Sequence, residues 1–248
     1  MIQNPDIAHT VHYALEWIAL ATGFAVYRAG RLRRGEPGLT APGSFIIVVC
    51  CLLGAGLGNK LASFANDHVP VRDLLTDLRP WWDGQSIVGA LLGGWLGVEL
   101  GKWLAGRSDR TGDGYVVPIL IGIAIGRVGC FLAGLHDGTC GLPTDLPWGV
   151  DFGDGLARHP TQLYESLLAL AAALTWPRWR KLFARTPGLG FRIFMLGYLL
   201  WRVGIDTLKP MPHAYAFGFS GIQWISVAGI LAILVGFVCD RRRVPSCR

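Results

Sequence analysis

Apolar residues run along this chain in seven blocks, separated by clusters of Gly, Pro, Asp, Arg or Lys. The blocks are roughly Ala8 to Tyr27, Gly43 to Phe64, Ser86 to Leu104, Tyr115 to Ala133, His159 to Trp176, Leu189 to Leu208 and Ser220 to Cys239. A helix rises about 1.5 Å per residue, and a bilayer core takes about 20 apolar residues to cross. Each block therefore predicts a spanning helix. The expected fold class is an all-α membrane protein of seven transmembrane helices, with residues 1–248 as a single integral membrane domain.

Composition agrees. Hydrophobic residues make up 52% and charged residues 16% of the 248, against about 25% charged in soluble domains, and the mean hydropathy is +0.40. An odd number of spans puts the termini on opposite faces, and the 23 Lys and Arg residues sort those faces. One face holds 16: Arg28, Arg31, Arg33, Arg34, Lys102, Arg107, Arg110, Arg178, Arg180, Lys181, Arg185, Arg192, Arg241, Arg242, Arg243 and Arg248. The other holds five: Lys60, Arg72, Arg79, Arg158 and Lys209. The positive-inside rule makes the first face cytoplasmic, so the N-terminus is expected outside and the C-terminus cytoplasmic.

The net charge of +6 thus reflects membrane topology, and a nucleic-acid partner is not expected. No positive n-region precedes the first span, which reads as a retained helix rather than a signal peptide. The six cysteines include no Cys-x-x-Cys and no metal-ligand spacing, so no metal site is expected. The long loops lie on the outer face, about Ala65 to Gln85 and residues 134–158. In the second, Leu142, Leu146, Trp148, Val150 and Phe152 interleave with turn residues, predicting a structured extracytoplasmic cap. Gly89, Gly93, Gly97 and Gly101 recur every four residues in the third span, a face that another helix can approach closely.

Charge inside hydrocarbon is costly, so intramembrane charges are functional candidates. Arg127 and Arg202 each lie about six residues below the outer end of their spans, roughly 10 Å deep, and Glu16 and Glu165 reach a similar depth. Tyr198 and Asp206 flank Arg202 at four residues on either side, sharing one helix face. His159, Gln162 and Glu165 are spaced by three and share another. Two arginines at one level suit a phosphodiester, whose oxygens the planar guanidinium binds bidentately. The competing reading pairs Arg127 with Glu165 and Arg202 with Asp206 to neutralise helix packing. Glu99 next to Lys102 reads as a packing pair.

The run Gly126-Arg127-Val128-Gly129-Cys130-Phe131, the segment His159-Pro160-Thr161-Gln162-Leu163-Tyr164-Glu165, and Tyr198, Arg202 and Asp206 followed by Ser220 and Gln223 together resemble the bacterial phosphatidylglycerol-prolipoprotein diacylglyceryl transferase family. Gly84-Gln85-Ser86-Ile87-Val88-Gly89 with Gly93 and Gly94 extends the likeness.

The resemblance implies a transferase of the bacterial cytoplasmic (inner) membrane. Such an enzyme moves the diacylglyceryl group of phosphatidylglycerol onto the cysteine thiol of a prolipoprotein lipobox and releases glycerol phosphate. It implies no metal or cofactor. The family's essential arginines map onto Arg127 and Arg202, its tyrosine onto Tyr198 and its following carboxylate onto Asp206. Val88 stands where members commonly carry a histidine, and Cys130 where the signature usually has Asn.

With Val88 in that place, a base must come from elsewhere. His136 and His159 are the histidines near the outer ends of the fourth and fifth spans, while His9, His12, His68 and His213 sit at other rims or loops. A histidine titrates near pH 6.5 unperturbed, and His136 follows the arginine signature, so His136 and Glu165 join Arg127, Arg202 and Tyr198 as expected catalytic residues. Arg127, Arg202, His159, Gln162, Asp206, Gln223 and Gly89 form the expected substrate-binding set. Two alternatives stay open: diacylglyceryl transfer to another acceptor, and a non-enzymatic phospholipid-binding or transport protein.

Overall fold

The computed structural model describes residues 2, 4–36, 38–82, 84–211 and 214–242; His213, Arg243 and Arg248 lie outside them. The helices are α1 (Pro5–Arg33), α2 (Pro42–Asn66), α3 (Val71–Thr76), α4 (Arg79–Trp82), α5 (Ile87–Leu104), α6 (Val116–Ala133), α7 (Thr161–Phe183), α8 (Leu189–Ile205) and α9 (Gly221–Arg242). One small hairpin pairs β1 (Val150–Asp151) with β2 (Ala157–Arg158) in antiparallel register, Val150 opposite Arg158.

The long helices coincide with the apolar blocks. Among the described residues, four stretches, Gly43–Asn66, Ile87–Leu104, Gly112–Asp137 and Gly221–Asp240, are long and apolar enough to cross a membrane, and the chain is an all-α membrane protein. His9, His12 and Glu16 dilute α1; Gln162, Glu165 and Ser166 dilute α7; α8 has only 17 residues. The exterior is apolar: Trp17, Leu52, Leu61, Leu96 and Leu174 are each more than 60% exposed, as lipid-facing side chains should be.

Local chemistry sets the helix ends. Asn4 accepts from the Asp6 and Ile7 amides at the start of α1, with Pro5 in its first turn. Ser86 accepts from the Gly89 amide to cap α5. At α9, the Ser220 Oγ accepts from the Gln223 amide at 3.1 Å while Gln223 Oε1 accepts from the Ser220 amide at 2.8 Å, a reciprocal capping box.

The chain divides into two compact units. The first comprises residues 1–36, 110–194 and 207–210. There α6 packs against α1 on one side and α7 on the other. A Cβ on Gly129 would meet Leu15 Cβ at 3.1 Å and the His12 carbonyl at 3.4 Å. Glycine at 129 thus lets α1 lie close to the end of α6. Ser166 Oγ donates to the Ala124 carbonyl at 2.7 Å, tying α7 to α6.

Residues 134–158 fold onto this unit. Phe152 is buried and its ring meets Phe131 edge-on at 5.8 Å, whereas Leu142, Leu146 and Trp148 remain substantially exposed. Asp151 accepts from the Gly153 and Gly155 amides to shape the hairpin turn. Arg158 donates to Asp154 through Nε (2.8 Å) and Nη2 (2.6 Å), which holds the Asp154 carboxyl below the usual carboxylate range.

The second unit comprises residues 37–109, 195–206 and 211–248. Its centre is the α2–α5 seam, where the glycine face of α5 meets α2 backbone to backbone. A Cβ on Gly89 would fall 2.1 Å from the Gly58 carbonyl oxygen, and one on Gly93 2.2 Å from that of Gly54. Gly97 and Gly101 continue the contact along Cys50 and Ile47, so the four-residue glycine period is a helix-packing seam. Lys102 and Glu99 pair at 2.7 Å, as expected.

Candidate functional site

In the first unit, Arg127 projects from the last two turns of α6 and Glu165 from the second turn of α7. Arg127 Nε stands 3.0 Å from Glu165 Oε2, with both side chains almost fully buried. A third group enters from the segment after α8: Lys209 Nζ lies 3.8 Å from the same carboxylate oxygen and is 11% exposed. Two cations therefore converge on one carboxylate that is 1% exposed. The segment bearing Lys209 is tied to the cap, because the Leu142 amide donates to the Leu208 carbonyl at 2.7 Å.

The polar network extends toward α1. Arg127 Nη1 donates to Cys130 Sγ at 3.6 Å. Cys130 shares a cluster with His12 and Asp137, whose ligand-type atoms all lie within 4.8 Å of one another. His12 Nε2 is 3.2 Å from Glu16 Oε1, and Nδ1 is 3.4 Å from Asp137 Oδ1. A continuous polar path runs from Glu16 through His12, Asp137, Cys130 and Arg127 to Glu165 and Lys209.

Gln162 is 1% exposed, with Nε2 donating to Cys140 Sγ at 3.5 Å and a buried Oε1 that makes no hydrogen bond among the described residues. Burial pushes the Cys140 thiol up, against the opposing effect of the Gln162 hydrogen bond. His159 is half-buried at the base of the cap. Its backbone exchanges hydrogen bonds with Gly141 and Leu142, and its Nδ1 is 3.4 Å from Tyr164 Oη. His136 is exposed in the short turn Gly134–Asp137 after α6, its ring 6.3 Å from that of His9.

In the second unit, Arg202 Nη2 donates to both carboxylate oxygens of Asp206, at 2.9 and 3.0 Å, from one turn earlier along α8. Both are buried, as is Tyr198 one turn before. Gln223 has its amide committed: besides the capping box, Nε2 donates to the Val203 carbonyl at 2.8 Å, which fastens α9 to α8. Gly89 lies in the α2–α5 seam.

The structure thus joins Arg127 to Glu165 and Arg202 to Asp206, and sets Gln162 on the helix face that carries Glu165. Both ion pairs of the packing reading are present, and Lys209 joins the first of them. Sequence reasoning missed Lys209, counted among the outer-face loop charges, and it missed the His12, Cys130 and Asp137 cluster. The spacing of His12 and Glu16 by four on α1 was the one available signal.

Comparison with known proteins places these residues in a family. The family model for prolipoprotein diacylglyceryl transferase matches residues 9–239. A phosphatidylglycerol–prolipoprotein diacylglyceryl transferase of Cupriavidus necator is 32% identical over 98% of this chain and 94% of its own length. Proteins of the same name from Solidesulfovibrio magneticus (31% identical, 94% of this chain and 91% of theirs) and Bordetella bronchiseptica (32%, 94% and 95%) align similarly. No solved structure matches the chain. With a family model spanning nearly its whole length and relatives above 30% identity across it, the chain belongs to the prolipoprotein diacylglyceryl transferase family.

Proposed function

We propose that this protein transfers the diacylglyceryl group of phosphatidylglycerol to the thiol of a lipobox cysteine in a prolipoprotein, releasing glycerol phosphate. The observation that carries the reading is the buried Glu165 carboxylate held between Arg127 and Lys209 in a chain of this family. Guanidinium and ammonium groups gathered in this way bind phosphate oxygens.

In the reaction, the thiolate sulfur attacks the diacylglyceryl carbon bonded to the phosphate oxygen. The S–C bond forms, the C–O bond breaks, and the electron pair leaves on the phosphate as a monoester. Negative charge grows on that phosphate, so cations already oriented toward it are worth more in the transition state than in the ground state. Arg127 and Arg202 take this role, each oriented by its carboxylate, Glu165 and Asp206. Tyr198, one turn from Arg202, supports that arginine in its role. Gln162, with its spare amide oxygen, and His159 contact the lipid headgroup. Gln223 and Gly89 act by holding α9 and α5 in place. His136 accepts the thiol proton in general-base fashion.

The protein works as seven spans in the bacterial cytoplasmic membrane, with the N-terminus outside and residues 134–158 capping the site where lipoprotein precursors emerge. Expression in a cell depleted of its own transferase tests the reading. The chain should restore growth and lipoprotein maturation, and its Arg127→Ala variant should not. Growth restored without diacylglyceryl modification, or no restoration by a well-inserted protein, would refute it.

A further inference from the structure

We infer that His12, Cys130 and Asp137 form a binding site for a thiophilic divalent cation of the zinc type, whose open fourth position takes an acceptor thiol as thiolate. The second half of this statement rests on the transferase reading; the first does not.

The donors are of the right chemistry. Zinc accepts imidazole nitrogen, thiolate sulfur and carboxylate oxygen at about 2.0–2.3 Å, and three protein ligands with one open position is its usual reactive arrangement. Tetrahedral bonds of that length put neighbouring nitrogen and oxygen donors about 3.4 Å apart. His12 Nδ1 and Asp137 Oδ1 are 3.4 Å apart, and the thiol lies with them inside a 4.8 Å limit. At most a shift of roughly 1 Å would bring the sulfur to a zinc bond.

The imidazole's other contact sets its tautomer. Nε2 lies 3.2 Å from Glu16 Oε1, the position from which an N–H donates to a carboxylate. Nδ1 stands 3.4 Å from the Asp137 carboxylate oxygen, buried and making no hydrogen bond among the described residues. A ring nitrogen and a carboxylate oxygen so placed are held together by a cation between them, either a metal ion or a proton. A carboxylate behind a histidine is also the usual outer support of a metal-bound imidazole.

Cys130 points to the metal. It is buried, and its sulfur is the soft donor that sets a thiophilic ion apart from a proton, within 4.8 Å of both other ligand atoms. Arg127 does not repel the ion, because Glu165 balances it and Glu16 adds further negative charge behind His12. Binding exchanges the Cys130 proton for the metal–sulfur bond and releases that proton to solvent. An incoming thiol would bind at the fourth position in the same way, losing its proton to a base such as His136, the neighbour of Asp137.

The test uses the purified full chain in detergent, stripped with a chelator and titrated with Co²⁺. One equivalent should bind, with the near-ultraviolet sulfur charge-transfer band and the intense visible bands of four-coordinate Co²⁺. Elemental analysis of the protein as purified should find zinc near one per chain. Cys130→Ser should abolish the charge-transfer band, Glu16→Gln should weaken binding about 10–100-fold, and Cys239→Ser should leave both unchanged. A cysteine-containing lipobox peptide should shift and strengthen the band, and its serine counterpart should not.

No cobalt bound by folded wild-type protein, or equal binding by Cys130→Ser, overturns the site and means that a proton occupies it. Bound cobalt with a spectrum indifferent to the cysteine peptide overturns the thiol role. Transfer activity persisting in metal-free protein would sink the thiol role and leave the proposed function intact. Metal bound without any transfer would do the reverse.

Discussion

Removing Arg127 has two separable consequences, and a second substitution distinguishes them. In Arg127→Ala the Glu165 carboxylate loses the guanidinium 3.0 Å away and keeps Lys209, at 3.8 Å. Breaking a buried pair by deleting one partner costs about 3–5 kcal/mol; Lys209 retains part of the neutralisation, so the lower end applies. For a chain of this size about 3 kcal/mol lowers the thermal midpoint by roughly 6–12 °C. Loss of a charge-stabilising donor at the reacting phosphate should cost a further 10²–10³-fold in turnover, about 2.7–4 kcal/mol.

Arg127→Ala/Glu165→Ala removes the stranded carboxylate together with its partner. It should regain most of the lost stability while its activity stays down by the same factor. The assay is thermal unfolding of the purified variants alongside transfer of labelled diacylglycerol to a lipobox peptide in phosphatidylglycerol vesicles. Recovery of activity together with stability in the double variant would refute the reasoning. Arg127 would then serve only to neutralise Glu165, as the packing reading holds.

Arg202→Lys keeps a charge near Asp206 but loses the fork, so it should insert normally and retain only a few per cent of activity or less, measured in the same vesicles. His136→Ala should slow transfer about 100-fold at neutral pH and recover as pH approaches the acceptor thiol's own ionisation near about 8.5; a constant ratio to wild type at all pH values would exclude a base role. Gly93→Ala should destabilise the second unit by about 1–3 kcal/mol, because its methyl would sit 2.2 Å from the Gly54 carbonyl, whereas Gly56→Ala, with open space around it, should unfold like wild type. The Asp154–Arg158 pair lowers the carboxyl pKa in the folded cap, so its contribution is present above the free value of about 3.9 and vanishes as pH falls through the lower folded value. Asp154→Asn should accordingly loosen the cap at pH 7, read by hydrogen exchange at Gly153 to Leu156, and make no difference at the acid end.

Positions along a helix were legible from the sequence, because apolar blocks, glycine periods and charge spacing are one-dimensional signals. The seven blocks coincide with the long helices, the Gly89 to Gly101 period with the α2–α5 seam, and the Arg127–Glu165 and Arg202–Asp206 pairings with charges placed by helical counting. Contacts between distant segments were not legible. Lys209 follows a helix end and reads as an ordinary loop charge until the segment's backbone bond to Leu142 is seen. Cys130 reads only as a departure from the family signature until Gly129 is seen to admit α1 and bring His12 alongside. Gln223 entered the expected binding set through the family resemblance, and its position three residues after Ser220 is also the spacing of the capping box the structure shows. Fold class depends on patterns within elements, whereas the polar network is assembled from α1, α6, α7 and the Lys209 segment at once.

The most direct test of the central claim is mass spectrometry of a synthetic lipobox peptide incubated with the purified protein in vesicles containing phosphatidylglycerol. The account predicts a peptide heavier by one diacylglyceryl group in thioether linkage to its cysteine and an equimolar release of glycerol phosphate, both lost with Arg127→Ala. An unmodified peptide in the presence of correctly folded, lipid-bound protein, or product formed equally by the alanine variant, would contradict it.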